Sequence, residues 1–261
     1  MNEIVTIALN TYKEAVRNKV FYIILVFGLC LLAVSLILAS LALGADDRII
    51  KQIGLAAINF FGILLTVFVG VNLVYDELNN RTIYTIIAAG VTRNQFLMGK
   101  FLGLFLTIVI NVLIMAFLLC LLIWFWPQSV VTPSLILAVY LMLFEFMIIS
   151  AFAILFSSFS TPVLSAVLTV MCWVIGRMSE DLLEWSRQLF EDGAVFIANL
   201  LMVIYYVVPN LAIFNIQNQV VYREDIGAIG YAFLLYPFFA IGYAGILLVL
   251  ATFSFARRDF K

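Results

Sequence analysis

The feature that most constrains this chain is a set of long stretches that carry no charge. Val20 to Leu43, Ile53 to Tyr75, Phe101 to Trp126 and Ile226 to Ala256 contain no Asp, Glu, Lys or Arg. Ser134 to Ser157 is broken only by Glu145, and Pro162 to Gly176 makes a shorter run. A helix needs about 20 apolar residues to cross a hydrocarbon core of about 30 Å. Helices are the only open-ended structures that satisfy their own backbone there. The fold class that follows is all-α. It is a polytopic membrane protein with six transmembrane helices at 20–43, 53–75, 101–126, 134–157, 162–178 and 230–255, in one domain spanning 1–261. A water-soluble enzyme is excluded by the same count, because 66% of residues are hydrophobic and 11% charged. Soluble domains run at about 45–50% and about 25%.

Charge fixes the expected orientation. Lys13, Arg17, Lys19, Arg81, Arg93, Lys100, Arg257, Arg258 and Lys261 fall on one side, and Arg48, Lys51, Arg177, Arg187 and Arg223 on the other. The richer side is the cytoplasmic one, which puts both termini in the cytoplasm of a multi-pass protein of the cell membrane. The first apolar run is longer than the roughly 7–15 residues of a signal-peptide core. Net charge is −1, so no basic field exists for nucleic acid.

Before the first span, residues 1–19 read as an amphipathic interfacial helix. Val5, Leu9, Tyr12 and Val16 share one face, and Glu3, Asn10, Glu14 and Arg17 take the others. Residues 76–99 form a cytoplasmic loop with its own pattern. Ile83, Ile86 and Ile87 make a helical stripe, and Gly90 supplies a break. Thr92 followed by Gln95 is a capping box that opens the next helix. A short helix with an apolar stripe and charged ends suits a groove on a partner or the lipid interface. On the outer side, residues 179–225 hold short helices. Ser179 to Phe190 reads as a helix capped by Ser179, apolar at Leu182, Leu183, Trp185 and Leu189. Val195 to Val208 is an apolar run too short for a comfortable span, read as interfacial or re-entrant, with a seventh span as the rival. Seven acids stand against three arginines between Arg177 and Asp225.

Glu77, Thr82, the triplet Val91-Thr92-Arg93 and Gly99-Lys100 entering a span together resemble the ABC-2 type transporter permeases. So do Val208-Pro209-Asn210-Leu211 with Phe214-Asn215, and the ending Arg257-Arg258-Asp259-Phe260. The likeness runs along the whole chain and is greatest to the branch of multicopper-enzyme-maturation permeases. Arg81 stands where that family often has Gly, Gly90 where it often has Pro, and Asn79 replaces a frequent acid. The resemblance implies a transport subunit, not an enzyme. The loop would be a coupling helix docking on a separate P-loop ATPase, with Glu77, Arg81, Thr82 and Arg93 at or beside the contact. The first helix would match the family's connecting helix, and the link from Ser157 to Thr161 a second, smaller contact. A second permease copy, identical or similar, would complete a dimer in the lipid bilayer.

Chemistry on this chain is sparse. There is no histidine, and Gly99-Lys100-Phe101 is not a P-loop. ATP and magnesium would therefore sit on the partner, with no cofactor here. Met98, Met142, Met147, Met171, Met178 and Met202 are dispersed, as are Cys30, Cys120 and Cys172. No soft-metal site is expected, and the cysteines read as small buried hydrophobes. Glu145 is the sharpest residue, since a charge at mid-span costs about 2.5–3.5 kcal/mol on insertion scales. It is either a pathway or proton-linked residue or a helix tie. No Lys or Arg is read at similar depth in any span, so no intramembrane ion pair is expected. Asn59, Asn72 and Asn111 are further buried polar candidates, as interhelix glue or pathway. The leading function is an ATPase-coupled permease. The alternative is a membrane scaffold that passes ATPase strokes to an outer-side partner without moving cargo. An ATP-independent transporter is disfavoured, because no inverted repeat is present.

Overall fold

The computed structural model describes residues 2–41, 46–79, 92–126, 130–222 and 232–257. They form ten α-helices and one 3₁₀ turn, with no strand among the described residues. In order the helices are α1 (Asn2–Arg17), α2 (Lys19–Leu41), α3 (Asp46–Asn79), α4 (Arg93–Phe125) and α5 (Pro133–Phe159). They continue as α6 (Pro162–Arg177), α7 (Ser179–Glu191), α8 (Val195–Val207), α9 (Gln217–Tyr222) and α10 (Ala232–Arg257). Five of them, α2, α3, α4, α5 and α10, are long and apolar enough to cross a membrane. The count becomes six if α6 and α7, bent by 70° at Met178, are taken as one broken span. The chain is thus all-α and polytopic.

The centre of the bundle is α3 and α5, and α2, α4, α6 and α10 lie around them. Small residues let the backbones close. The Phe146 ring of α5 lies where a side chain on Gly62 of α3 would go. Ala240, Ala244 and Ala251 are buried on α10, whose main neighbour is α5. Outward residues such as Phe117, Val163, Phe238 and Phe253 are apolar and exposed, as a bilayer-facing surface requires. Cys30 also faces outward, against the expectation that it is buried. In lipid an apolar residue gains nothing from hiding.

The helix starts follow local chemistry. Thr92 is extended (φ −74°, ψ 152°) and completes the expected capping box. Its backbone N–H donates to Gln95 Oε1 at 2.9 Å and its hydroxyl accepts from the Gln95 N–H at 3.4 Å. Helices α5 and α6 each begin with proline in the first turn, where its missing N–H costs no bond. Helix α7 ends in a Schellman turn. Gly193 (φ 82°) donates to the Phe190 carbonyl at 3.3 Å and Ala194 to that of Leu189 at 2.9 Å.

Three expectations change. Helix α3 begins at Asp46, so Arg48 and Lys51 belong to a helix and not to a loop. Lys51 is 1% exposed and pairs with Asp47 one turn earlier at 2.8 Å. Ser179 is not the cap of α7. That position is Met178, and the buried Ser179 hydroxyl has no hydrogen-bond partner among the described residues. Helix α1 forms over Asn2–Arg17, but its docked face is Ala8, Thr11 and Ala15. The Val5 and Leu9 stripe points outward. Hydrophobic periodicity marks the lipid side of such a helix, while small residues mark its packing side.

Candidate functional site

The polar centre of the bundle is built from three helices. Glu145, on α5, is 0% exposed. From α3, Asn59 Nδ2 donates to Glu145 Oε2 at 3.2 Å. From α6, Trp173 Nε1 donates to Oε1 at 3.0 Å. One turn later on the same helix, Arg177 Nη1 reaches both oxygens, at 2.8 and 2.9 Å. The spacing of Trp173 and Arg177 is i, i+4, which places both on one face of α6.

The Glu145–Arg177 pair overturns the expectation of no intramembrane ion pair. The reason lies in helix length. Helix α6 has only 16 residues, so Arg177 lies about 22 Å from its start at 1.5 Å per residue. Glu145 lies about 21 Å from the end of α5, by the same rise. The two helices are antiparallel across the Ser160-Thr161 turn, so the end of α6 meets the middle of α5. Counting Arg177 as an outer-loop charge assumed that its span ran the full thickness. Trp173 was missed as well, because an indole in an apolar run gives no sign of where its N–H points. The i, i+4 spacing of Trp and Arg was the available signal.

The cluster satisfies a buried charge instead of exposing it. Desolvating both ions costs several kcal/mol each, and only a full set of bonds returns that energy. Glu145 has such a set. The arrangement ties α3, α5 and α6 and leaves no free carboxylate oxygen to take up a passing ion.

The other candidates are placed differently. Asn111 is 0% exposed on α4, and neither its amide nitrogen nor its oxygen has a partner among the described residues. Asn72 lines a groove of about 340 Å³ between α3 and α6, with walls from Val67, Phe68, Pro162 and Val163. A second groove, of about 360 Å³ between α4 and α5, is walled by Phe117, Cys120, Ile136 and Leu143. Both grooves are apolar. Glu77 lies in the last turns of α3 and Arg93 is the first residue of α4. Their side chains, and the whole of Arg81 and Thr82, lie outside the described residues. Ser157 and Ser158 are buried, with hydroxyls bonded to the carbonyls of Ile154 and Leu155. Phe159 and Thr161 are the exposed parts of that link.

The first helix is held by glycine. A Cβ on Gly103 would fall 2.5 Å from the Thr11 Cβ and 2.6 Å from the Ala8 carbonyl oxygen. Ile7 lies over Gly99 in the same way. Beside them, Lys100 is buried, bonds Glu14 across the contact at 3.4 Å and lies 5.9 Å from the Phe96 ring centre. The pair Gly99 and Gly103 is a small-xxx-small motif, read in the sequence only as an entry to a span.

On the opposite side the 209–216 segment is structural. The Leu211 N–H donates to the Gly176 carbonyl at 2.9 Å. Asn210 Oδ1 accepts from the Ala212 N–H at 2.9 Å and starts the 3₁₀ turn Ala212–Phe214. Among the described residues, no cluster of three or more His, Cys, Asp or Glu is placed to hold a metal. Comparison with protein-family models and with curated proteins finds no match for this chain.

Proposed function

We propose that this chain is the membrane subunit of an ATP-driven transporter of the ABC-2 type. Two such permeases, identical or similar, would lie in the cell membrane with their termini in the cytoplasm. They would couple ATP hydrolysis on a separate P-loop ATPase to movement of a cargo. One observation carries the reading. At one end of the bundle α3 runs on to Asn79, α4 restarts at the Thr92 capping box, and α1 lies across Gly99 and Gly103. The amphipathic helix, the end of α3 and the start of α4 therefore belong to the same end, where a partner's push would be received. A force there acts directly on α3 and α4, and α3 carries Asn59 of the central cluster.

A second reading has its own support. Among the described residues the buried Lys51, Lys100 and Glu145 are paired, and the grooves between α3 and α6 and between α4 and α5 are apolar. A scaffold that conveys ATPase strokes to an outer-side partner needs no polar path. The test is purification of the tagged chain from its native membrane, followed by reconstitution in sealed vesicles. A stoichiometric P-loop ATPase and cargo crossing on ATP addition are expected. Hydrolysis without crossing selects the scaffold. Solute movement with no ATPase present removes both readings. Glu77→Ala and Arg93→Ala should lower ATPase stimulation while leaving insertion intact.

A further inference from the structure

Helices α7 and α8 form a hairpin that packs chiefly on itself, with the Ser186 hydroxyl bonded to the Ala198 carbonyl at 3.1 Å. Its attachments to the bundle are few and nameable. At its start the chain turns through 70° at Met178, immediately after Arg177. Arg177 is held by Glu145 on the neighbouring helix. At its end the Val207 carbonyl accepts from the Tyr243 hydroxyl of α10 at 2.9 Å. Just beyond, Leu211 bonds the Gly176 carbonyl. A side chain on Gly176 would strike Leu211 and the Pro209 carbonyl, so the returning segment is pressed against the last turn of α6.

We infer that the Glu145–Arg177 pair is a latch that sets the angle of the α7–α8 hairpin. The bend has no proline or glycine at Met178 to fix it by backbone constraint. Its direction is set by what holds the residue before it. Arg177 is 21% exposed while its partner is fully buried. The pair therefore sits at the boundary between the packed core and the hairpin. Asn59 puts the carboxylate in contact with α3 as well. A shift of α3 against α5 changes the donors around Glu145, and the hairpin is the element that answers. Hinges of this kind sit at helix ends, where a few dihedrals absorb the motion. The latch acts whether the hairpin serves transport or an outer partner.

The test is a distance measurement by electron paramagnetic resonance on the full chain in lipid nanodiscs. Spin labels go on Gln188→Cys of α7 and Ile136→Cys of α5, both exposed positions, with Cys30, Cys120 and Cys172 replaced by Ala. The parent should give one narrow distribution. In Glu145→Gln/Arg177→Gln, which removes both charges and keeps the shape of the Glu145 side chain, the distribution should broaden and shift by several ångströms. A monodisperse double variant with the parent's distribution overturns the latch. If the double variant does not stay monodisperse, Arg177→Lys decides. It keeps the charge on a side chain one atom shorter, which draws the nitrogen back from the place of Nη1 between the two oxygens, so broadening is expected, and an unchanged distribution overturns the latch. Tyr243→Phe, which loosens only the far anchor, should broaden the distribution less than either.

Discussion

The two ends of the bundle hold their accessory helices by opposite means. On one side α1 lies against α4 through bare backbone, with Gly99 and Gly103 bringing Ile7, Ala8 and Thr11 into contact. On the other, α7 and α8 join the bundle after Arg177, which pairs with the buried Glu145, and again through the Tyr243–Val207 and Leu211–Gly176 hydrogen bonds. Close packing is short-ranged and has one good distance, so it makes a rigid strap. A buried ion pair tolerates rotation until it breaks, and then its loss is large. The difference suits one end to transmitting a displacement and the other to switching.

Breaking the charge pair from one side should have the largest effect. Glu145→Ala leaves Arg177 uncompensated beside the core and should cost about 3–5 kcal/mol. Thermal unfolding in detergent would show it as a large fall in Tm. A fall no larger than that of a surface substitution would mean that the pair carries no strain. At the other end, Gly103→Leu should cost about 1–3 kcal/mol by overpacking. The loss should appear as new thiol accessibility at a cysteine placed at Ala8, with the rest of the bundle intact. If the hairpin moves instead, the two ends are not independent. Thr92→Ala removes the α4 cap and should cost about 1 kcal/mol, read from hydrogen exchange in the first turn of α4.

A further substitution separates the ion pairs at the two ends, Lys100–Glu14 and Arg177–Glu145. Glu14 is half-exposed and Lys100 is buried, so Glu14→Gln should cost less than Glu145→Ala, about 1–3 kcal/mol. What it does contribute should fade as salt is raised. The Glu145 contribution should not fade. Asn111→Leu has the opposite sign to all of these. With both amide atoms buried and unpartnered among the described residues, the change should raise stability by about 1–3 kcal/mol. A loss of Tm there would reveal a partner beyond those residues.

The sequence made the helices legible for a simple reason. A run without charge has no other stable form in lipid, so Lys19–Leu41, Arg93–Phe125, Pro133–Phe159 and Ala232–Arg257 follow from composition. The Thr92 and Gln95 cap is equally local and was equally readable. Contacts between helices were not. Ala8, Thr11 and Ala15 carry almost no hydrophobic signal, so the docked face of α1 was hidden behind the more apolar Val5 and Leu9. Glu145 announced itself by its charge. Its partner did not, because the depth of Arg177 depends on where α6 stops relative to α5, which is a property of two helices together. Arg81 and Thr82, which the resemblance to a permease would put at or beside the ATPase contact, fall outside the described residues and stay tied to the sequence alone.

The short α6 has a consequence for the surrounding lipid. At 16 residues it is about 24 Å long, against about 30 Å for a typical hydrocarbon core. The flank of the protein at α6 is therefore thinner than the flank at α10, which has 26 residues. A bilayer meeting both must thin on one side or tilt the molecule, at a cost of a fraction of a kcal/mol per ångström. Acyl-chain length becomes a variable that bears on the bend at Met178. Short-chain lipids should then ease the bend, and long-chain lipids should sharpen it.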